Sequence, residues 1–242
     1  MAQAAAPGYG SAMSYLFDPV VPAVPVAGSS RSFPVRRIYC IGRNYAAHAR
    51  EMGGDPAKGD PVVFMKPADA VVPGGGRLAY PPDTADLHHE VELVAAIGRP
   101  LHRANPADAL DAVFGYAVGI DLTKRDRQGE AKSAGLPWER AKSFEQSAPI
   151  SAIVPASGGA HPTRGRIALS VNGLIRQDAD LSDMIWPTAD IVARLSHIWS
   201  LQPGDLVFTG TPEGVGPLAF GDVVEARIES VGGLRIEISS GG

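Results

Sequence analysis

Two glutamates stand two residues apart in His88-His89-Glu90-Val91-Glu92-Leu93, within a stretch rich in Val and Leu that reads as a strand. On a strand, residues i and i+2 point to the same face, roughly 6.5–7 Å apart along the chain. Two ionised carboxylates so placed repel each other, and inside a β-rich core they require a neutralising cation. Hard oxygen ligands of this kind favour Mg²⁺ or Mn²⁺, with Ca²⁺ also acceptable, over Zn²⁺. Asp121 ends the apolar run Gly115-Tyr116-Ala117-Val118-Gly119-Ile120, so a neighbouring strand can bring a third carboxylate to the same place. The competing reading is a solvated outer face of an edge strand, and spacing alone leaves both open. His88 is in register with Glu90 and His89 points the other way, so His88 reads as a supporting or packed histidine rather than a ligand.

A second constellation is His48 and Glu51, three apart in the helical segment Arg43–Met52. Residues at i and i+3 are neighbours on a helix surface. A carboxylate beside an imidazole orients the ring and raises its basicity, which suits a general base acting on water; an ordinary surface pair has the same spacing. Arg43, at the strand-to-helix junction, stands where helix N–H groups and a guanidinium could receive an anion. Lys66, Arg125, Gln128 and Lys142 follow apolar or acidic stretches, and each alone is compatible with a solvated side chain. Thr209–Pro217 (TGTPEGVGP) lacks the Gly-Lys-Ser/Thr of a phosphate-binding loop and reads as a tight loop whose backbone and Thr211 meet a ligand or a partner strand.

The elements that must position these groups are short. Among 242 residues there are 28 Gly and 21 Pro, about a fifth of the chain against a usual ~12%. That excludes a long-helix bundle and favours many strands joined by turns. Strands are expected at Val35–Ile41, Val62–Lys66, Leu87–Ile97 and Ala112–Thr123, the last apolar until its polar end. A hairpin is expected across Asn172-Gly173, and another turning at Gly232-Gly233. Thr188–Leu201 reads as an amphipathic helix with Thr188 as N-cap and Ile191, Val192, Leu195, Ile198 and Trp199 as its apolar stripe. The class is α+β, with mainly antiparallel and mixed sheets. Residues 1–34, rich in Ala and Pro, are expected to form an arm, loose at its start, and 35–242 the catalytic domain.

Net charge is −4, from 22 Lys plus Arg against 26 Asp plus Glu. No basic–aromatic ladder points to nucleic acid, no uninterrupted apolar run points to a membrane, and no secretory signal is read. With Cys40 as the one cysteine, neither an intrachain disulfide nor a cysteine-based zinc site is available, which fits a cytoplasmic protein.

Taken in order, GRNYAAHAREMG, FMKPADAVV, HHEVELVAAIG, GIDLTKRDRQ, PWERAKSFEQSAPIS, VNGLIRQ and LQPGDLVFTGTPEGVGPL closely resemble the fumarylacetoacetate hydrolase family, in its compact acylpyruvate-hydrolase branch. The resemblance runs from about residue 35 to the end. It implies a β-rich roll of mixed sheets like that family's C-terminal domain, and usually a homodimer. It implies Mg²⁺ or Mn²⁺ on Glu90, Glu92 and Asp121, and a water-activating dyad of His48 and Glu51 on a lid-like helix. Lys142 is implied as stabiliser of oxyanion or enolate charge, and Arg43, Lys66, Arg125, Gln128 and Thr211 as the substrate pocket. The activity implied is hydrolysis of a C–C bond in a small anionic keto acid, with fumarylpyruvate of gentisate-type aromatic degradation the expected substrate. Oxaloacetate decarboxylation or hydroxy-dienoate isomerisation on the same scaffold is the competing chemistry. A non-catalytic metal-binding module is the competing class.

Overall fold

The computed structural model describes residues 15–51, 53 and 59–240. The expected loose start of the arm, and Gly54 at the end of the first helix, lie outside these residues. The rest of the arm contributes Ala23–Pro25, which pairs antiparallel with Ser32–Pro34. Its Val24 and Phe33 are buried with Ile38, Cys40, Val94, Ala117 and Phe208.

A mixed sheet forms the centre, with strand order Val62–Lys66, Arg37–Gly42, Asp205–Phe208, Val91–Ile97, Val113–Ile120, Ala148–Ile150 and Val71–Pro73. Every residue of Val91–Ile97 is buried, because both faces of this strand meet apolar side chains. Leu93, Ala95 and Ile97 join one cluster, and Val94 and Ala96 join the other. Gly119 keeps the second cluster tight: a Cβ there would come within 2.5 Å of the Phe208 ring. A second sheet, in the order Leu174–Asp180, Arg166–Val171, Val223–Ile228, Gly232–Ser239 and Gly76–Ala79, packs its inner residues into the larger cluster. The helices are α1 (Ala46–Glu51), α2 (Pro106–Asp111), α3 (Arg125–Ala134), α4 (Glu139–Lys142) and α5 (Thr188–Ile198). Among the described residues no helix is long and apolar enough to cross a membrane. The architecture is the expected α+β roll of mixed sheets.

Four local expectations need correction. The single strand expected over Leu87–Ile97 is two strands, Leu87–His89 and Val91–Ile97, which belong to different sheets and meet at Glu90. The Val91 N–H donates to the Gln177 side chain at 3.0 Å, so the break leaves no orphaned donor. The C-terminal hairpin turns at Glu229–Val231, with Ser230 at φ +65°, and Gly232 already opens the last strand. Burial of Val231 and its N–H bond to the Ile228 carbonyl close the turn earlier than the glycine pair. Pro187, not Thr188, occupies the N-cap of α5; Thr188 is the first helical residue and makes no capping bond. Ile198 is exposed, because the chain leaves α5 at Trp199, whose ring packs 5.1 Å from Tyr39.

Candidate metal centre and active site

Glu90 is the point at which two paired strands pass together from one sheet to another. Val91 lies opposite Ile120 in the large sheet, and His88 lies opposite Thr123 in a three-stranded sheet with Gly216–Leu218. The register is continuous across the break, so Glu90 faces Asp121, and the Asp121 N–H donates to the Glu90 carbonyl at 2.8 Å. Glu92 lies opposite Gly119, on the same side as Glu90. Ligand oxygens of Glu90, Glu92 and Asp121 lie within 4.8 Å of one another, and all three residues are buried. Strand geometry thus supplies the convergence that the spacing allowed, and a solvated outer face is excluded.

Cations surround the trio unevenly. The Lys142 ammonium donates to Glu90 at 2.7 Å, Asp121 at 2.6 Å and Thr123 Oγ1 at 2.6 Å. Lys66 Nζ forms an ion pair with the other Asp121 oxygen at 2.9 Å. Arg125 pairs with Glu90 through one terminal nitrogen, and its other donors go to Gln128 and His88. Among the described residues Glu92 accepts only the Gly210 N–H, at 2.7 Å. The consequence is a split in proton affinity. Burial pushes the Glu90 carboxyl up, but Lys142, Arg125 and His48 outweigh it and hold Glu90 well below the usual carboxylate range. Burial, reinforced by Asp121 and Glu90, drives Glu92 well above that range, and Lys142 offsets this only in part. Burial lowers Lys142, but Asp121 and Glu90 more than compensate and raise it.

The donor set therefore fits a divalent cation: three hard oxygens in a buried cleft, one of them lacking a cationic partner. Cation uptake should release up to one proton from Glu92 and strengthen as pH rises, by about tenfold per pH unit while Glu92 still titrates. Mg²⁺ titrations at pH 6 and pH 8, in buffers of different ionisation heat, read both quantities. Equal affinities without proton release would contradict this charge distribution.

The trio opens into a cleft also lined by Arg43, His48, Phe64, Arg125, Gln128, Lys132, Trp138, Lys142 and Thr211. His48 is buried on α1, and its Nδ1 lies 3.2 Å from Glu51 Oε2. Nε2 is then the free nitrogen of a ring that lines the cleft. Glu51 reaches the Gly214 N–H at 3.4 Å through its other oxygen. Asn44 holds the entry to α1. Its amide donates to the carbonyls of Thr209 (2.7 Å) and Trp186 (3.0 Å) and accepts from the Trp186 N–H at 2.8 Å. Gly210, at φ +97°, permits this approach: a Cβ would come within 2.6 Å of Asn44 Cβ. Thr211 Oγ1 accepts from Gln177, which also accepts the Val91 N–H, so loop, strand break and second sheet meet in one amide. His88 supports Arg125, accepting from its Nε at 3.4 Å.

Lys66 departs from expectation. Its ammonium is buried beside Asp121 and donates to the carbonyls of Leu122, at 3.2 Å, and Lys142, and it does not line the cleft. It is a counter-charge to Asp121 rather than a wall of the substrate pocket. Five cleft residues escaped the sequence reading as site residues: Ile41, Gly42, Phe64, Lys132 and Trp138. Lys132 sits on a short polar helix, where a lysine ordinarily faces solvent. The aromatic pair, 5.9 Å between ring centroids, joins residues 74 positions apart.

Residues 37–239 match the family described as fumarylacetoacetate (FAA) hydrolase C-terminal, and the chain belongs to that family of enzymes. It is similar to a fumarylpyruvate hydrolase from Pseudomonas aeruginosa, solved in complex with Mn²⁺ and pyruvate, with 47% identity and a TM-score of 0.91 over 94% of this chain and all of that one. It is also 43% identical over 196 residues to the oxaloacetate tautomerase YcgM of Escherichia coli K12, covering 81% of this chain and 89% of that protein. The human mitochondrial oxaloacetate tautomerase FAHD1 is 41% identical over 203 residues, 84% of this chain and 91% of that protein.

Proposed function

We propose that this protein hydrolyses a C–C bond in an acylpyruvate, with fumarylpyruvate converted to fumarate and pyruvate. The observation that carries the reading is a buried carboxylate trio facing, across one cleft, an imidazole already paired to a carboxylate. The likeness to a fumarylpyruvate hydrolase holding Mn²⁺ and pyruvate supports it. Glu90, Glu92 and Asp121 would hold Mg²⁺ or Mn²⁺. When bound, the ion supplies Lewis-acid polarisation of the keto acid and lowers the energy of the departing enolate.

The chain's own groups do the rest. His48, with Nδ1–H donated to Glu51, accepts a proton from water at Nε2, and the water oxygen attacks the carbonyl carbon distal to the pyruvate unit. Lys142 stabilises the negative charge that develops on that carbonyl oxygen. The C–C bond then breaks, its electron pair passing to the pyruvate methylene carbon. The proton held by His48 is returned to that carbon, which leaves pyruvate and a carboxylic acid. Arg43, Gln128 and Thr211 orient the anionic substrate, and Arg125 holds Gln128 and Glu90 in place. The same reading has the protein acting as a cytoplasmic homodimer in gentisate-type aromatic catabolism, as the family resemblance implies.

Oxaloacetate tautomerisation is a second reading, favoured by the relatives of that name. It moves one proton and requires no attacking water; a paired imidazole can carry the proton in either reaction, so the products separate the two. A spectrophotometric panel decides between them. Loss of enol absorbance of fumarylpyruvate, maleylpyruvate and acetylpyruvate is followed with and without Mg²⁺, with oxaloacetate enol-to-keto conversion alongside. Metal-dependent release of pyruvate from fumarylpyruvate is expected. Oxaloacetate tautomerisation with no acylpyruvate cleavage would replace the first reading by the second.

A further inference from the structure

The cleft holds more positive charge than its carboxylates use. Lys142, Lys66 and Arg125 are engaged with Glu90 and Asp121. All three kinds of nitrogen on Arg125 are occupied, by His88, Gln128 and Glu90. Two cations on the same wall remain. Arg43 makes no ion pair among the described residues, its Nε is buried without a partner, and its backbone is held at φ +62°. Lys132 likewise has no acidic partner, and its Nζ rests 5.4 Å from the Trp138 ring centroid. Burial, with the like charges of Arg43 and Arg125 and a smaller contribution from Lys142, lowers Lys132 to about 8, with Glu90 opposing only in part. Cations crowded together in a cleft without a counter-ion are an arrangement the fold alone does not favour, and an anion relieves it.

The geometry points to Lys132, together with Arg43, as the receptor for a second carboxylate at the acyl end of the substrate. This deepens the proposed reading and rests on it. The metal trio takes the pyruvate end, and the two free cations select a dicarboxylic acyl chain. Arg125, tied to Glu90, is excluded from that role. Phe64 and Trp138, with ring centroids 5.9 Å apart, line the cleft beside this receptor and make that part of its wall apolar. Lys132 is thus a specificity-determining residue, set on α3 and backed by the aromatic ring at the start of α4.

The test uses Mg²⁺-loaded full-length protein and two pairs of probes that differ by one carboxylate. Fumarate and crotonate are titrated against intrinsic tryptophan fluorescence, and fumarylpyruvate and acetylpyruvate are compared by kcat/KM. In wild type, fumarate is expected to bind more tightly than crotonate. Lys132→Met keeps an apolar stem, and it should weaken fumarate about 10- to 100-fold, as loss of a charge-assisted bond does. The fumarylpyruvate-to-acetylpyruvate ratio of kcat/KM should fall by a similar factor, and Lys132→Arg should restore most of both. Equal binding of fumarate and crotonate by wild type, or an equal loss for both probes in Lys132→Met, overturns the receptor. If wild type cleaves no acylpyruvate yet binds fumarate in a Lys132-dependent way, the hydrolase reading fails and the receptor stands. If both acylpyruvates are cleaved with a ratio indifferent to Lys132, the receptor fails and the hydrolase reading stands.

Discussion

Asp121→Asn should destabilise the metal-free protein by about 3–5 kcal/mol, the usual cost of removing one partner from a buried ion pair. Asp121 is fully buried and answers two ammonium groups, Lys142 at 2.6 Å and Lys66 at 2.9 Å. An amide leaves Lys66 without a counter-charge and Lys142 with Glu90 alone. Glu92→Gln, only two strand positions away from Glu90, should behave oppositely. Its carboxyl is pushed toward the neutral form by burial and by the Asp121 and Glu90 charges, and its one partner is a backbone N–H that an amide oxygen also accepts. The metal-free Gln variant should therefore lie within about 1 kcal/mol of wild type. Both variants should lose the thermal shift that Mn²⁺ gives wild type, since a ligand that binds only the native state stabilises by mass action. Urea unfolding in EDTA, paired with melting curves in Mn²⁺, separates the two roles. An Asn variant as stable as wild type in EDTA would show that the ammonium groups do not depend on Asp121.

His48→Ala should lower kcat on an acylpyruvate by about 10²–10⁴, the range of a positioned general base. Mn²⁺ affinity should stay within about twofold of wild type, because the imidazole is not among the three converging ligands. Alanine favours the helical conformation of α1, so the loss would report chemistry rather than local unfolding. Single-turnover rates beside a metal titration give the comparison. A variant with wild-type kcat would remove the dyad from the mechanism, and one that lost metal as well would move His48 into the metal centre.

Much of this centre was legible in the residues because it depends on local rules. Alternation on a strand placed Glu90 and Glu92 together, a strand terminus offered Asp121, and i, i+3 spacing paired His48 with Glu51. Asn172-Gly173 announced its hairpin, with Asn172 at φ +52° and Gly173 at φ +78°. What stayed hidden depends on which distant side chain arrives first. Lys66 and Lys132 look alike in sequence; Lys66 is buried beside Asp121 because α4 packs against the Val62–Lys66 strand, whereas Lys132, on α3, meets no acidic side chain among the described residues. The strand break at Glu90 was invisible for a similar reason. Leu87–Ile97 contains no Gly or Pro to mark a break, and only Gln177, from another sheet, shows where the ladder changes partner. Asn44 carried no signal beyond its type, since its side-chain partners, Trp186 and Thr209, lie more than 140 residues away.

The continuous ladder across Glu90 and Asp121 also makes tolerance to length change uneven along the chain. One residue inserted inside either strand would turn a carboxylate to the opposite side and dismantle the cage, since strand side chains alternate. The connection between those strands, residues 98–112, can lengthen or shorten without moving any ligand, because it leaves and re-enters the sheet at the far end of the pair. Diversification by insertion is thereby steered to that far end, and the cleft changes by exchange of single side chains.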